Sequence, residues 1–241
     1  MPVVPRRFLR TWGLGALTLC LSASPLLLST GGDAGASPLS ASALMALALK
    51  DAIAQGTVHE VELASAPGHT FTMIDDIAAA SGRQVITSDG AHAEVLVVKG
   101  VAYIYGDKKA VADYFQISTT DPGKYANRWL SIPSSNSAFA TVSNAVTIKS
   151  DFTDVTIPGT VTRGASTVLD GQKVVPIRGS APATATSAKI NATLFVTTSS
   201  PALPVELRLI SKSEKVTATW TKWGHRVRLS APAKSSPLTA P

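Results

Sequence analysis

RQVITSDGAHAEVLVVKGVAYIY, Arg83–Tyr105, decides the fold. It divides into RQVITS, AHAEVLVV and VAYIY, separated by Asp89-Gly90 and Lys99-Gly100. Asp-Gly is favoured where both central residues of a tight turn need positive φ, so these pairs predict hairpins. The pieces between them are rich in β-branched and aromatic residues, which suit a pleated surface. Consecutive strands joined by hairpins build an antiparallel sheet.

The same pattern extends upstream. TVHEVELAS (57–65) and TFTMIDDIA (70–78) read as two more strands, and a helix precedes them. Ser37 is placed as its N-cap, with Pro38 as its first residue, where a missing N–H costs nothing. Leu44, Met45, Leu47, Leu49 and Ile53 supply a broad apolar face, and Gly56 is a natural stop. This helix is too short and too polar to span a bilayer and needs a sheet to cover.

Downstream the period changes. DKKAVADYFQI places Val111, Tyr114 and Phe115 at helical spacing, and SSNSAFATVSNAVTI does the same with Phe139, Val142 and Val146. Segments 107–117 and 134–149 are therefore predicted helical, with DPGKYANRWLSIP between them as a loop ending in a short extended piece near Trp129. From Thr160 strands resume: TVTRGASTVL and QKVVPIRG around Asp170-Gly171, then AKINATLFVTT, LPVELRLI, EKVTATWTKW and HRVRLSAP. The last ten residues, 232–241, are Ser-, Pro- and Ala-rich and read as a disordered tail. The strand halves 57–105 and 160–230 are expected in one antiparallel sheet. A sheet of so many strands must curl or close. The expected class is α+β: a large curved antiparallel half-barrel with helices covering the concave face.

The N-terminus carries Arg6, Arg7 and Arg10, then an apolar run from Trp12 to about Leu28, then small residues. That order is a secretory signal. Ser22, Ser24 and Pro25 interrupt the run, which is short against the roughly 20 residues of a comfortable bilayer crossing. Residues 1–36 are read as an export signal cleaved after about Ala36, and 37–231 as one domain. Cys20, the single cysteine, raises the alternative of a lipid anchor. Leu19 before it is too large for a lipoprotein signal, and Cys20 sits inside the apolar run, so it reads as one more small hydrophobe. The remaining domain has no thiol for a disulfide, a metal or a nucleophile.

The chain's formal net charge is +6; without the three leader arginines and Asp33 it is +4. Lys173, Arg178, Lys212, Lys215, Arg226 and Arg228 are scattered and not interleaved with aromatics, unlike a nucleic-acid footprint. A weak attraction to an anionic membrane surface is compatible with this charge. His59, His69, His92 and His225 are too far apart in sequence to predict a shared metal. Asp75-Asp76 are adjacent strand residues, which point to opposite faces and make a poor acid–base pair; a solvated turn is the expected setting. No serine elbow or phosphate loop occurs. The sequence predicts no catalytic residues, no metal and no cofactor. Trp129, Trp220 and Trp223 are read as packing residues.

Five further pieces carry a resemblance: LALKDAIAQGTVHEVE, AEVLVVKGVAYIYGDKKAV, NRWLSIP, LPVELRL and TWTKWGHRVRLSAP. Over about Ala41–Pro232 the chain resembles the LolA/LolB-like superfamily, and within it the actinobacterial LppX/LprG group of envelope lipid carriers. The resemblance implies an exported, non-enzymatic protein whose half-open barrel binds the acyl chains of a lipid or glycolipid. It also implies a lipidated cysteine closing the signal, from which this sequence departs. The alternative within the same fold is an envelope interaction module with a collapsed cavity and a protein partner. For the carrier, the more apolar alternating set of each strand is expected to line the cavity: Val61 and Leu63, Phe71 and Met73, Val95 and Val97, Leu194 and Val196, and Val205, Leu207 and Leu209.

Overall fold

A computed structural model describes residues 39–115, 121–153, 155–183 and 188–238. Among these residues thirteen strands form one open sheet. Strands β1 (Thr57–Ala66), β2 (His69–Ala78), β3 (Gly82–Ser88), β4 (Ala91–Val98), β5 (Val101–Gly106) and β6 (Leu130–Pro133) run as an antiparallel meander. Strands β9 (Gln172–Ala181), β10 (Ile190–Thr197), β11 (Pro204–Ile210) and β12 (Lys215–Thr221) make a second meander. β12 pairs with β1, so the two meanders join at a seam between the first strand and the last long one. The short β7 (Thr162–Arg163) and β8 (Thr167–Leu169) both pair with β9.

The hairpin turns follow from their residues. Asp89 and Gly90 have φ of 49° and 81°, Lys99 and Gly100 of 51° and 74°, and Asp170 and Gly171 of 47° and 76°. Positive φ at both positions matches the right-handed twist of the flanking strands.

Among the described residues four α-helices lie on one face, the concave side of the half-barrel: α1 (Ala41–Ala54), α2 (Lys108–Asp113), α3 (Ala138–Asn144) and α4 (Ile148–Thr153). α1 is capped by Ser40, whose Oγ accepts from the Ala43 N–H at 3.2 Å. Ser37 and Pro38, the expected start, lie outside the described residues. The buried positions of α1 are Ala41, Leu44, Ala48 and Ala52, with Met45, Leu49 and Ile53 half-buried beside them. Leu47 is exposed. Small alanines at the contact let α1 approach the sheet closely.

Two helical readings change. The segment 107–117 is helical over Lys108–Asp113, with Val111, Tyr114 and Phe115 buried as expected and 116–117 outside the described residues. The segment 134–149 is not one helix. It breaks between α3 and α4, where Thr147 makes a parallel bridge to Ala78. Gly82 sits beneath this break, and a Cβ there would collide with the carbonyl of Val146.

The C-terminus also differs. HRVRLSAP does not form a strand. A parallel pair with β6 forms instead at β13 (Ser236–Pro237), inside the segment read as a disordered tail. The Ser236 N–H donates to the Trp129 carbonyl and the Leu238 N–H to that of Ser131. Leu238 packs against the apolar cluster of the first meander, and that contact holds the segment.

Candidate functional site

Strand register assigns each side chain to a face. Val58, Glu60, Glu62 and Ala64 of β1 stand opposite Ile77, Asp75, Met73 and Phe71 of β2. These in turn stand opposite Gly82, Gln84, Ile86 and Ser88 of β3. Val58 and Ile77 belong to the cluster beneath α1 and α4, so this row of β1 and β2 faces the helices.

The inner face holds two apolar clusters. One is built by β2–β6 with α2 and α3, and centres on Ile86, Val95, Val97, Ile104, Ile132 and Val142. The other is built by β9–β12 and the Val58 and Ile77 ends of β1 and β2 with α1 and α4, and centres on Ile177, Leu194, Val196, Phe152 and Trp220. The Phe152 ring lies 5.5 Å from that of Trp220 and 5.3 Å from that of Trp223.

Between them runs a polar row. Trp220, Glu60, Asp75 and Gln84 are directly opposite one another across β12, β1, β2 and β3. Glu60 is 3% exposed, Asp75 0% and Gln84 1%. Glu62, also buried, occupies the next inner row. Gln84 Nε2 donates to Asp75 Oδ2 at 3.3 Å and approaches Met73 Sδ at 3.1 Å. Burying carboxylates is costly unless they are hydrogen-bonded or paired, and within this row Asp75 accepts from Gln84. Asp75 corrects the expected solvated turn: it is in mid-strand and fully buried, while Asp76 faces outward and meets His59 Nδ1 at 2.8 Å.

The expected lining residues divide. Phe71, Met73, Val95, Val97, Leu194, Val196, Leu207 and Leu209 lie on the inner face, in or against the two clusters. Val61 and Leu63 lie on the outer face, since Glu60 and Glu62 take the inner positions of β1. Val205 is also outside, because β10 and β11 shift register between Phe195 and Val196. Phe195 pairs with Glu206 and Val196 with Pro204, leaving Val205 as the extra residue of a bulge, turned toward Phe195 and Val174. The polar row was missed from the sequence because Val61 and Leu63 form the more apolar set. The signal that would have found it is the Val58–Ile77 pair, which fixes the inner parity of both strands.

At the hairpin ends of this face, a pocket of about 90 Å³ is lined by Glu62, Ala64, Phe71, His69, Asp89 and Glu214, among others. Sites for drug-sized ligands hold roughly 300–1,000 Å³, so this pocket alone does not enclose a lipid. His69 Nδ1 lies 2.8 Å from Asp89 Oδ2, and the Thr70 N–H donates to Asp89 Oδ1. These two hydrogen bonds hold the Asp89 carboxyl below the usual carboxylate range. Among the described residues no group of three or more His, Cys, Asp or Glu is arranged to hold a metal, and no helix is long and apolar enough to cross a membrane. Cys20 lies outside the described residues.

An open, curved antiparallel half-barrel with helices on its concave side defines the class. No family model matches the chain, and no curated protein is similar to it in sequence. Among solved structures, LprF from Mycobacterium bovis is similar over 80% of this chain and 97% of its own, with 16% identity and a TM-score of 0.52. The Mycobacterium tuberculosis lipoprotein LppX is similar over 78% of this chain and 99% of its own, with 16% identity and a TM-score of 0.45. The likeness to LprF shows a shared fold. The resemblance read from the sequence is met at that level.

Proposed function

We propose that this protein is a non-enzymatic binder of an acyl lipid or glycolipid, exported to a bacterial cell envelope. The observation that carries the reading is the apolar inner face of an open half-barrel, in a fold shared with LprF. Each methylene moved from water into such a surface contributes about 0.8 kcal/mol, so one long chain binds without any polar contact. The lining proposed here is the inward set of Phe71, Met73, Val95, Val97, Leu194, Val196, Leu207 and Leu209. Uptake displaces the short helices α2, α3 and α4 from the sheet. A membrane surface is the expected source of the ligand. Cleavage after about Ala36 releases the domain; acylation of Cys20 would tether it instead.

One observation favours a second reading, an interaction module with a collapsed cavity: among the described residues, Val95 and Val97 of the inner face are already buried in one cluster with Val142 of α3. The test is direct. The purified chain is offered a fluorescent acyl probe, and Leu207→Trp is compared with the parent. In a carrier, the half-buried Leu207 position accepts the ring with little loss of stability, and probe uptake falls. In a collapsed core the same change costs about 1–3 kcal/mol by overpacking. No probe uptake by the parent, together with that loss, would sink the carrier reading and leave the module.

A further inference from the structure

The row Trp220–Glu60–Asp75–Gln84 asks for something the two apolar clusters do not supply. Strands in a sheet are about 4.8 Å apart, so the row spans roughly 14 Å across the inner face. Asp75 takes the Gln84 amide hydrogen, which turns Gln84 Oε1 away from it. That oxygen is buried and has no hydrogen-bond partner, and neither has the buried Trp220 Nε1–H. An acceptor and a donor thus wait at opposite ends of a row whose middle members are carboxylates.

The chemistry that fits is restrictive. An ammonium group would serve Gln84 Oε1 but offer nothing to the Trp220 N–H. A fully ionised phosphate would accept from Trp220 but offer Gln84 no donor, and in either ionisation state it would bring negative charge beside the carboxyl groups of Glu60 and Asp75. No described lysine, arginine or histidine is buried, so an anionic group would find no buried counter-charge among the described residues. A hydroxyl both donates and accepts. Several hydroxyls spread over a glycerol or sugar unit would match a row with separated donor and acceptor sites.

The position of the row adds the second half of the argument. It reaches from the cluster of the second meander, to which Trp220 belongs, to that of the first, where Gln84 meets Met73. Resting on the lipid-binding reading above, we infer that the row seats an uncharged, hydroxyl-bearing polar unit of an amphipathic lipid, whose apolar arms lie along the two clusters.

The test uses the full chain and native mass spectrometry after incubation with three separate vesicle preparations, doped with monoglycosyl-diacylglycerol, phosphatidic acid or triacylglycerol. The expected result is retention of the glycosyl lipid at least tenfold above phosphatidic acid. Gln84→Leu should lower glycosyl-lipid retention about tenfold and leave triacylglycerol retention unchanged, and Trp220→Phe should act in the same direction. Thermal unfolding checks that each variant is folded. Gln84→Leu places an apolar side chain of similar reach beside Val95, so it keeps the test usable if Trp220→Phe does not fold. Equal retention of the glycosyl lipid by parent and Gln84→Leu would overturn the inference, as would a preference for phosphatidic acid. Retention of none of the three lipids by the parent would instead overturn the lipid-binding reading itself.

Discussion

The two faces of β1 and β2 invert the usual rule. The inner face, under the helices, holds Glu60, Glu62 and Asp75. The outer face, toward solvent, holds Val61, Leu63 and Ile74, of which Leu63 is 52% exposed and Ile74 40%. An isolated strand would turn the other way, since its aliphatic set would seek cover. It cannot, because a period of two moves every side chain together. Turning β1 and β2 over would carry Val58, Ile77 and Met73 into water. The ends of the strands therefore decide the face, and the polar middle is carried inward with them. The contrast teaches that local apolarity is a poor guide to which face of a strand is buried when the helical cover is anchored elsewhere.

The largest expected effect tests that contrast within one strand. Ile77 is fully buried among the residues beneath α1 and α4, and Ile74 lies on the opposite face. Ile77→Ala should cost about 2–5 kcal/mol, as in other cores. Ile74→Ala should stay within about 0.5 kcal/mol, as at ordinary surface positions. Urea unfolding of both variants reads the difference. Equal costs would break the assignment of faces.

A smaller effect is expected at Gly82, an inner-face position without a side chain. Its backbone passes beneath Val146 at the break between α3 and α4. Gly82→Ala should cost about 1–3 kcal/mol, because the added methyl forces the helical break off the sheet. A neutral result in the same assay would mean that this part of the cover is loosely seated and would favour helices that lift easily.

The smallest effect belongs to the rim. Asp89, held low first by its hydrogen bond with His69, lies at the solvent-facing rim. A carboxyl with a lowered folded-state pKa adds stability that is present above its unfolded pKa. That stability is lost as pH falls through the folded value. Stability should therefore decline slightly on acidification below the ordinary carboxylate range. In His69→Ala the Asp89 titration followed by NMR should move up. An unchanged midpoint would show that the Thr70 N–H alone sets it.

Much of this protein was legible in its residues because the deciding interactions are local. The strands around Asp89-Gly90 and Lys99-Gly100 sit where turn chemistry and alternation place them. The helix stop at Gly56, with φ of 75°, needs only the glycine. Val111, Tyr114 and Phe115 are buried as their spacing requires. Tertiary structure decided what depends on partners distant in the chain. Pairing of β12 with β1 puts Trp220 beside Glu60, 160 positions apart in the numbering, and no local pattern announces that contact. The bulge opposite Phe195 turns Val205 outward, although VELRL alternates without a flaw. Ser236 finds a partner only because the loop before β6 leaves the Trp129 carbonyl open at a sheet edge. Turn and cap preferences act over a few residues and are written in the chain itself. The choice of face, seam and edge is made by burial summed over the whole sheet, which exists only once the two meanders have met.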